Sequence, residues 1–235
     1  MPIFYDPTLS PTATHHTLNE EESWHCVKVL RMGAGQPISL IDGRGTLYEA
    51  RIESAHPARC QVSIEQTHPN HGHRNVHVHI AIAPPKNIER LEWCIEKCTE
   101  IGIDSITPLL CERSERREVK PERLQRVMVA AVKQSRKAYM PTLNPMVRLT
   151  HFVTQPHSGG LFIAHCNAPS LPPLRQLIGQ QRSCAVLIGP EGDFSPHEVA
   201  MAEQHGFKSV SLGPSLLRTE TAGLVACHLA NLMAQ

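Results

Sequence analysis

Three charged residues stand where the surrounding chain is most apolar. Glu191, Arg218 and Glu220 sit at Gly/Pro turns inside CAVLIGPEGDFSPHEV (Cys184–Val199) and SVSLGPSLLRTETAG (Ser209–Gly223). A guanidinium offers a rigid fork of donors to carbonyl or phosphate oxygens. A carboxylate within reach can take or orient a proton. On residue types alone, Arg218 with Glu220 reads first as a structural ion pair at a helix start. Their placement argues for more, because loops over a rigid scaffold carry function more often than core positions do.

The elements that must position them are legible. Ala185–Ile188 is continuously apolar and reads as a buried strand, which Gly189, Pro190 and Gly192 break. Ser195, Pro196 and Glu198 then open a helix with a capping hydroxyl, a proline at the first helical position and a glutamate placed to reach back. In the second stretch Val210 and Leu212 are the inward positions of a short strand, Gly213-Pro214 turns the chain, and a helix starts near Thr219 or Glu220. Turns at the carboxyl ends of strands in an α/β sheet are where small ligands sit. No GxGxxG follows a strand and no GxxxxGK[ST] occurs, so two common nucleotide-binding motifs are absent.

Upstream, Pro37–Asp42, Thr46–Glu53 and Arg59–Glu65 alternate as strands, with Gly43-Arg44-Gly45 as a hairpin turn. A helix is expected over Glu20–Arg31, with Trp24, Val27 and Leu30 on one side. Together these suggest a small barrel. The turn-rich HPNHGHRN (His68–Asn75) marks a domain boundary, giving an N-terminal domain over residues 1–70 and a second over 74–235. In the second, strand Val76–Ala83, helix Lys86–Ile101 (Asn87 capping, Gly102 closing) and strand Ile103–Leu110 form a parallel unit with a right-handed crossover. A helix starting at Lys120-Pro121-Glu122 and a strand over Leu161–His165 follow. The last helix, Glu220–Ala234, carries Ala222, Val225, Leu229 and Leu232 or Met233 on one face. Alternating strands and helices specify an α/β fold with a mainly parallel sheet.

Composition narrows the function classes. The 235 residues carry a formal net charge of +1, so any polyanion surface must come from local clustering. Cys111–Lys137 supplies it: nine Lys/Arg against four Glu, a net +5. Such a segment is often only a solvated face, but here it makes a plausible phosphate-contacting surface. Aromatics are 4%, which favours recognition of shape and backbone over extensive base stacking. The eight cysteines include no CxxC pair and read as small hydrophobes. His77 and His79 alternate with apolar residues on the polar face of a strand, and His71 and His73 lie in a loop, so no metal is expected. The N-terminus lacks the basic start and apolar core of a signal peptide. No apolar run approaches the roughly 18 residues of a membrane span. A soluble, cytoplasmic protein is the expectation.

LIGPEGDFS and SLGPSLLRTETAG resemble the two signature loops of the knotted SPOUT methyltransferases, and more narrowly those of the RsmE-type enzymes. Val29–Gly33, Lys86–Arg116 and Lys133–Pro141 agree, so the resemblance spans nearly the whole chain. It departs at Asp193, where the family form has a glycine, and at Ser215, where it has an arginine. The resemblance implies a C-terminal trefoil knot preceded by a PUA-like RNA-binding barrel. It implies S-adenosylmethionine-dependent methylation of N3 of a uridine in 16S rRNA, within a small ribosomal subunit or its precursor, by a homodimer. It places the cofactor on Ile188, Gly189, Pro190, Glu191, Gly192, Leu212, Gly213, Leu217, Thr221 and Ala222. Arg218 and Glu220 become the catalytic candidates, with Glu191 a further base or orienter. Arg31, Arg113, Arg116, Arg117, Lys133 and Arg136 become the RNA-binding candidates. A non-catalytic RNA-binding module with structural loops is the alternative. A nucleotide-binding hydrolase is disfavoured by the missing phosphate-binding loop and metal set.

Overall fold

Turn chemistry and strand periodicity build two units, Met1–His73 with Val132–Met140, and Arg74–Ala131 with Pro141–Gln235. They are seen in a computed structural model that describes residues 1–166, 170–179 and 182–233. In the first unit a five-stranded sheet runs in the order β1 (Ile3–Tyr5), β3 (Pro37–Ile41), β4 (Leu47–Ser54), β5 (Gln61–His68), β2 (His15–Thr17). β1 lies parallel to β3 and the other pairs are antiparallel. The β3–β4 hairpin closes as expected: Asp42 Oδ1 accepts from the amides of Arg44 (2.8 Å) and Thr46 (3.0 Å). Gly43 and Gly45 take the positive φ angles that the turn needs.

The expected helix over Glu20–Arg31 is shorter and changes type. α1 (Glu20–Trp24) is capped by Asn19 and passes into a π-helical turn over His25–Val29, where Leu30 N donates to His25 O. The extra residue per turn rotates the inward face. Cys26 is fully buried, whereas Trp24 is 56% and Leu30 42% exposed, so of the expected stripe only Val27 packs partly on the core.

The second unit is a parallel sheet in the order β12 (Lys208–Val210), β10 (Gly160–Ala164), β11 (Ser183–Ile188), β6 (His77–Ile82), β7 (Ser105–Leu110), β8 (Thr142–Leu143), with β9 (Val147–Arg148) also pairing β7. α2 (Ile88–Ile101) connects β6 to β7. Asn87 caps it by accepting from Glu89 N, and Gly102 at φ 127° ends it. α3 (Pro121–Gln134) lies on the basic segment, and α4 (Leu149–Thr154) and α5 (Leu174–Leu177) are short helices that the periodicity did not reveal. α6 (Pro196–Gln204) carries the full capping box of Ser195 and Glu198.

The histidine face of β6 is exposed at His77 but covered at His79, because a parallel sheet carries helices on its faces. His79 is half-buried, with Nε2 2.8 Å from Thr107 Oγ1 and its ring edge-on to Phe152 of α4. Burial, with His157 and His77 adding to it, pushes its pKa down to about 4.

α7 (Thr219–Met233) corrects a second face; Ala234, where the helix was expected to end, lies outside the described residues. Its buried side is Gly223, Ala226, Cys227 and Ala230, not the stripe Ala222, Val225, Leu229 and Leu232. Gly223 explains this: a Cβ there would stand 2.9 Å from Cys94 Sγ and 3.0 Å from Ile82 Cδ1. Small residues let α7 lie close on α2 and β6, and the larger ones face outward. The chain therefore leaves β12 at the sheet edge and returns to the centre. Ser211 bridges Pro173 on one side of this crossing, and Thr219 Oγ1 donates to Gly189 O (3.1 Å) on the other. These contacts fasten the connection from β12 to α7 to the segments before and after β11.

Candidate functional site

Three strands end side by side, and their following loops enclose a cavity of about 350 Å³, within the range of small-ligand sites. After β10 come His165 and Cys166; from the end of β11, Ile188–Glu191 and Asp193; after β12, Ser211–Gly213 and Ser215–Thr219, with Ala222 from α7. Of the sequence candidates, Ile188, Gly189, Pro190, Glu191, Leu212, Gly213, Leu217 and Ala222 are on the wall. Gly192 is not: its carbonyl accepts from Arg113 Nη1 at 2.8 Å. Thr221 lines an adjoining recess with Glu220.

The glycines differ in purpose. Gly213 has φ 134° and open space where a Cβ would go, so its conformation asks for glycine and its face stays clear for a ligand. Gly189 is glycine for an internal reason. A Cβ there would lie 3.2 Å from the ring and the amide of Phe194, so the crowding comes from the loop itself and not from a ligand.

Asp193 stands at φ 60°, a conformation that Asp tolerates better than most residues. Its Oδ2 accepts from Cys166 N (2.9 Å) and its Oδ1 from Phe194 N (2.8 Å), which fastens the β10 loop to the β11 loop. Thr219 and Asp193 thus hold the cavity's three walls to one another. Asp193 was marked in the sequence only as a departure from the family form, and Thr219, His165, Cys166, Ser211 and Leu216 were not singled out as site residues. The rule that ligands sit beyond the carboxyl ends of adjacent strands would have found His165 and Cys166 after Leu161–Ala164. His165 is buried, with Nε2 2.9 Å from Ser209 Oγ; burial lowers its pKa against the opposing pull of Asp193 and Glu203.

The expected Arg218–Glu220 pair does not form. Residues two apart at a helix start point to different sides. Arg218 is exposed, lines both the cavity and the recess, and its guanidinium has no partner among the described residues. Glu220 is 7% exposed and faces Arg90, whose Nε is 3.8 Å from Oε1. Glu191 is exposed, and its Oε1 accepts from Lys86 N at 3.0 Å, which fits an orienting role for the chain before α2.

The RNA candidates divide in the same way. Arg113 holds the carbonyls of Gly192 and Phe194, and Arg116 those of Pro85 (3.1 Å) and Lys86 (2.6 Å). Both brace loops around the cavity. Lys133 donates to both oxygens of Glu22 (2.7 and 2.8 Å) and stands 5.6 Å from the centre of the Phe4 ring. Arg117, Arg31 and Arg136 are exposed, with side chains unpartnered among the described residues.

S-adenosylmethionine fits this donor set. The wall is apolar at Ile188, Pro190, Leu212, Leu217 and Ala222, clear of side chain at Gly213, and polar at Glu191, Ser211 and Arg218. No helix among the described residues is long and apolar enough to cross a membrane.

Residues 73–231 match the family model of an RNA methyltransferase domain, and residues 18–65 that of an RNA methyltransferase PUA domain. The fold is similar to a solved structure from Porphyromonas gingivalis described as a probable rRNA-methyltransferase. The two are 39% identical, with 99% of this chain and 98% of that one covered and a TM-score of 0.90. Ribosomal RNA small subunit methyltransferase E from Neisseria gonorrhoeae, solved bound to S-adenosyl methionine, is 26% identical over 97% of this chain and 95% of its own, with a TM-score of 0.87. A relative of that name from Synechocystis is 28% identical over 225 residues, 93% of this chain and 73% of the relative.

Proposed function

Because the chain belongs to the RNA methyltransferase family, we propose that it is an S-adenosylmethionine-dependent enzyme that methylates N3 of a uridine in 16S rRNA. The observation that carries this reading is the cavity at the ends of β10, β11 and β12, apolar with one clear glycine face and with Arg218 on its rim. The cofactor supplies a methyl group on a sulfonium centre. Transfer to N3 requires that its proton leave, and Glu220 or Glu191 would take it. The protein's work is alignment. Ile188, Leu212, Leu217 and Ala222 offer the apolar wall, and the Asp193 and Thr219 bonds keep the three loops in register. Arg218 is the residue placed to hold substrate oxygens.

S-adenosylhomocysteine should raise the melting temperature, with a stabilisation of about 2.7 kcal/mol at a hundred times its Kd. ATP should not. Incubation with unmodified small ribosomal subunits and cofactor, followed by nucleoside mass analysis, should yield 3-methyluridine. Cofactor-independent RNA binding with no methylated product would favour a non-catalytic module instead.

We assign RNA contact to Arg117, Lys133 and Arg136 of the basic segment and to Arg31 of the PUA-like domain, residues 1–70. Arg117→Glu should weaken RNA binding and flatten its salt dependence while cofactor affinity stays unchanged. Equal RNA affinity would make this segment a solvated face. Arg113 and Arg116 are loop braces, so reversing their charge tests loop integrity as much as RNA.

We propose a homodimer through α7. Val225 and Leu229 are half-buried and Leu232 is 49% exposed, so the larger apolar side chains of this helix are incompletely covered within one chain. An isologous interface would cover them. Sedimentation as a monomer at micromolar concentration would count against it.

A further inference from the structure

A second recess lies beside the cofactor cavity. Asn87, Glu89, Arg90 and Trp93 of the α2 region form one wall, Glu220 and Thr221 at the start of α7 the other, and Arg218 lines both cavities. Glu220 is 7% exposed, and its Oε2 has no hydrogen-bond partner among the described residues. Arg90 Nε, 3.8 Å from Oε1, is too distant for a hydrogen bond. Oε1, on the Arg90 side, is the oxygen that a ligand in the recess would meet. Arg90 and Arg218 line the same recess. Trp93, one of two tryptophans in a chain poor in aromatics, is 41% exposed on its wall. An exposed indole face is a platform for a stacked base.

An acceptor flanked by donors complements a base edge that carries one N–H between two carbonyl oxygens. Uracil has that edge. Cytosine presents a lone pair at N3, which would oppose the carboxylate. We infer that this recess binds the target uracil, with the ring stacked on Trp93, N3–H donated to Glu220, and the carbonyl oxygens held by Arg90 and Arg218. It thereby makes the pyrimidine choice. Resting on the methyltransferase reading, this adds Arg90 and Trp93 to the substrate-binding residues and assigns Glu220 the acceptor role.

The test uses Trp24→Phe protein saturated with S-adenosylhomocysteine, so that Trp93 alone reports by fluorescence. Millimolar uridine 5′-monophosphate should quench it saturably. Cytidine and 3-methyluridine 5′-monophosphates should bind at least about tenfold more weakly, since a site built to accept N–H rejects analogues lacking it. Glu220→Gln should erase that preference. Because Glu220 is buried and its variant could lose stability, Trp93→Ala provides an independent arm at an exposed position. It should lower single-turnover methylation of unmodified small subunits by about tenfold, the scale of one lost base stack, with S-adenosylhomocysteine affinity unchanged. Equal affinities for the three nucleotides, no saturable quench, or Trp93→Ala turnover at the parent rate would each overturn the base pocket. Failure of the parent protein to bind S-adenosylhomocysteine would instead bring down the methyltransferase reading.

Discussion

Arg218→Ala should leave cofactor affinity nearly unchanged and lower the single-turnover rate with rRNA by about two to three powers of ten. That corresponds to the loss of on the order of 2–4 kcal/mol of transition-state stabilisation. The guanidinium is exposed on the wall shared by the two cavities and holds no other side chain among the described residues. Its contribution to the fold is its backbone carbonyl, which accepts from Ala222 N at 2.8 Å and survives substitution by alanine. The melting temperature should therefore hardly move. A structural role makes the opposite forecast, in which stability falls and activity follows only the folded fraction. Melting temperature, cofactor affinity and single-turnover rate on one preparation separate the two. A folded Arg218→Ala protein that methylates at the parent rate would remove Arg218 from the catalytic residues, while the methyltransferase reading would stand on the cofactor cavity.

Gly189→Val should cost both stability and cofactor binding. The added Cβ would meet Phe194 at 3.2 Å on two ring atoms and the backbone amide. Phe194 is fully buried in a cluster with Leu187, Val199 and Phe207, so moving its ring would disturb that packing. Overpacking of this kind costs about 1–3 kcal/mol. The strain falls on the segment that carries Ile188 and Pro190 to the cavity wall and whose carbonyl at Gly189 receives Thr219. S-adenosylhomocysteine affinity, read by calorimetry, should drop at least about tenfold, with a lowered melting temperature. Gly189→Ala should fall between the two, because one methyl asks for a shift of only a few tenths of an ångström. Parent affinity in a folded valine variant would show that this loop does not shape the cofactor site.

What the sequence determined by itself is what neighbours along the chain decide. The Ser195–Glu198 capping box, the Asn87 cap, the Gly102 stop and the Asp42–Thr46 hairpin turn are all closed by hydrogen bonds between residues a few positions apart. The strand–turn–helix reading of the two glycine loops holds for the same reason, and most of the residues it singled out line the cavity. Tertiary structure decided the rest. His79 alternates like a solvent-facing residue, but α4 covers that face and buries it. The inward side of α7 went to its small residues because α2 and β6 approach too closely for larger ones. Glu220 turned from Arg218 toward Arg90, and the basic run split into loop braces and guanidinium groups unpartnered among the described residues. In each case the partner comes from another element of the fold. Periodicity reports which side of an element is apolar, but the distance of approach and the identity of the facing groups are set only when the elements pack.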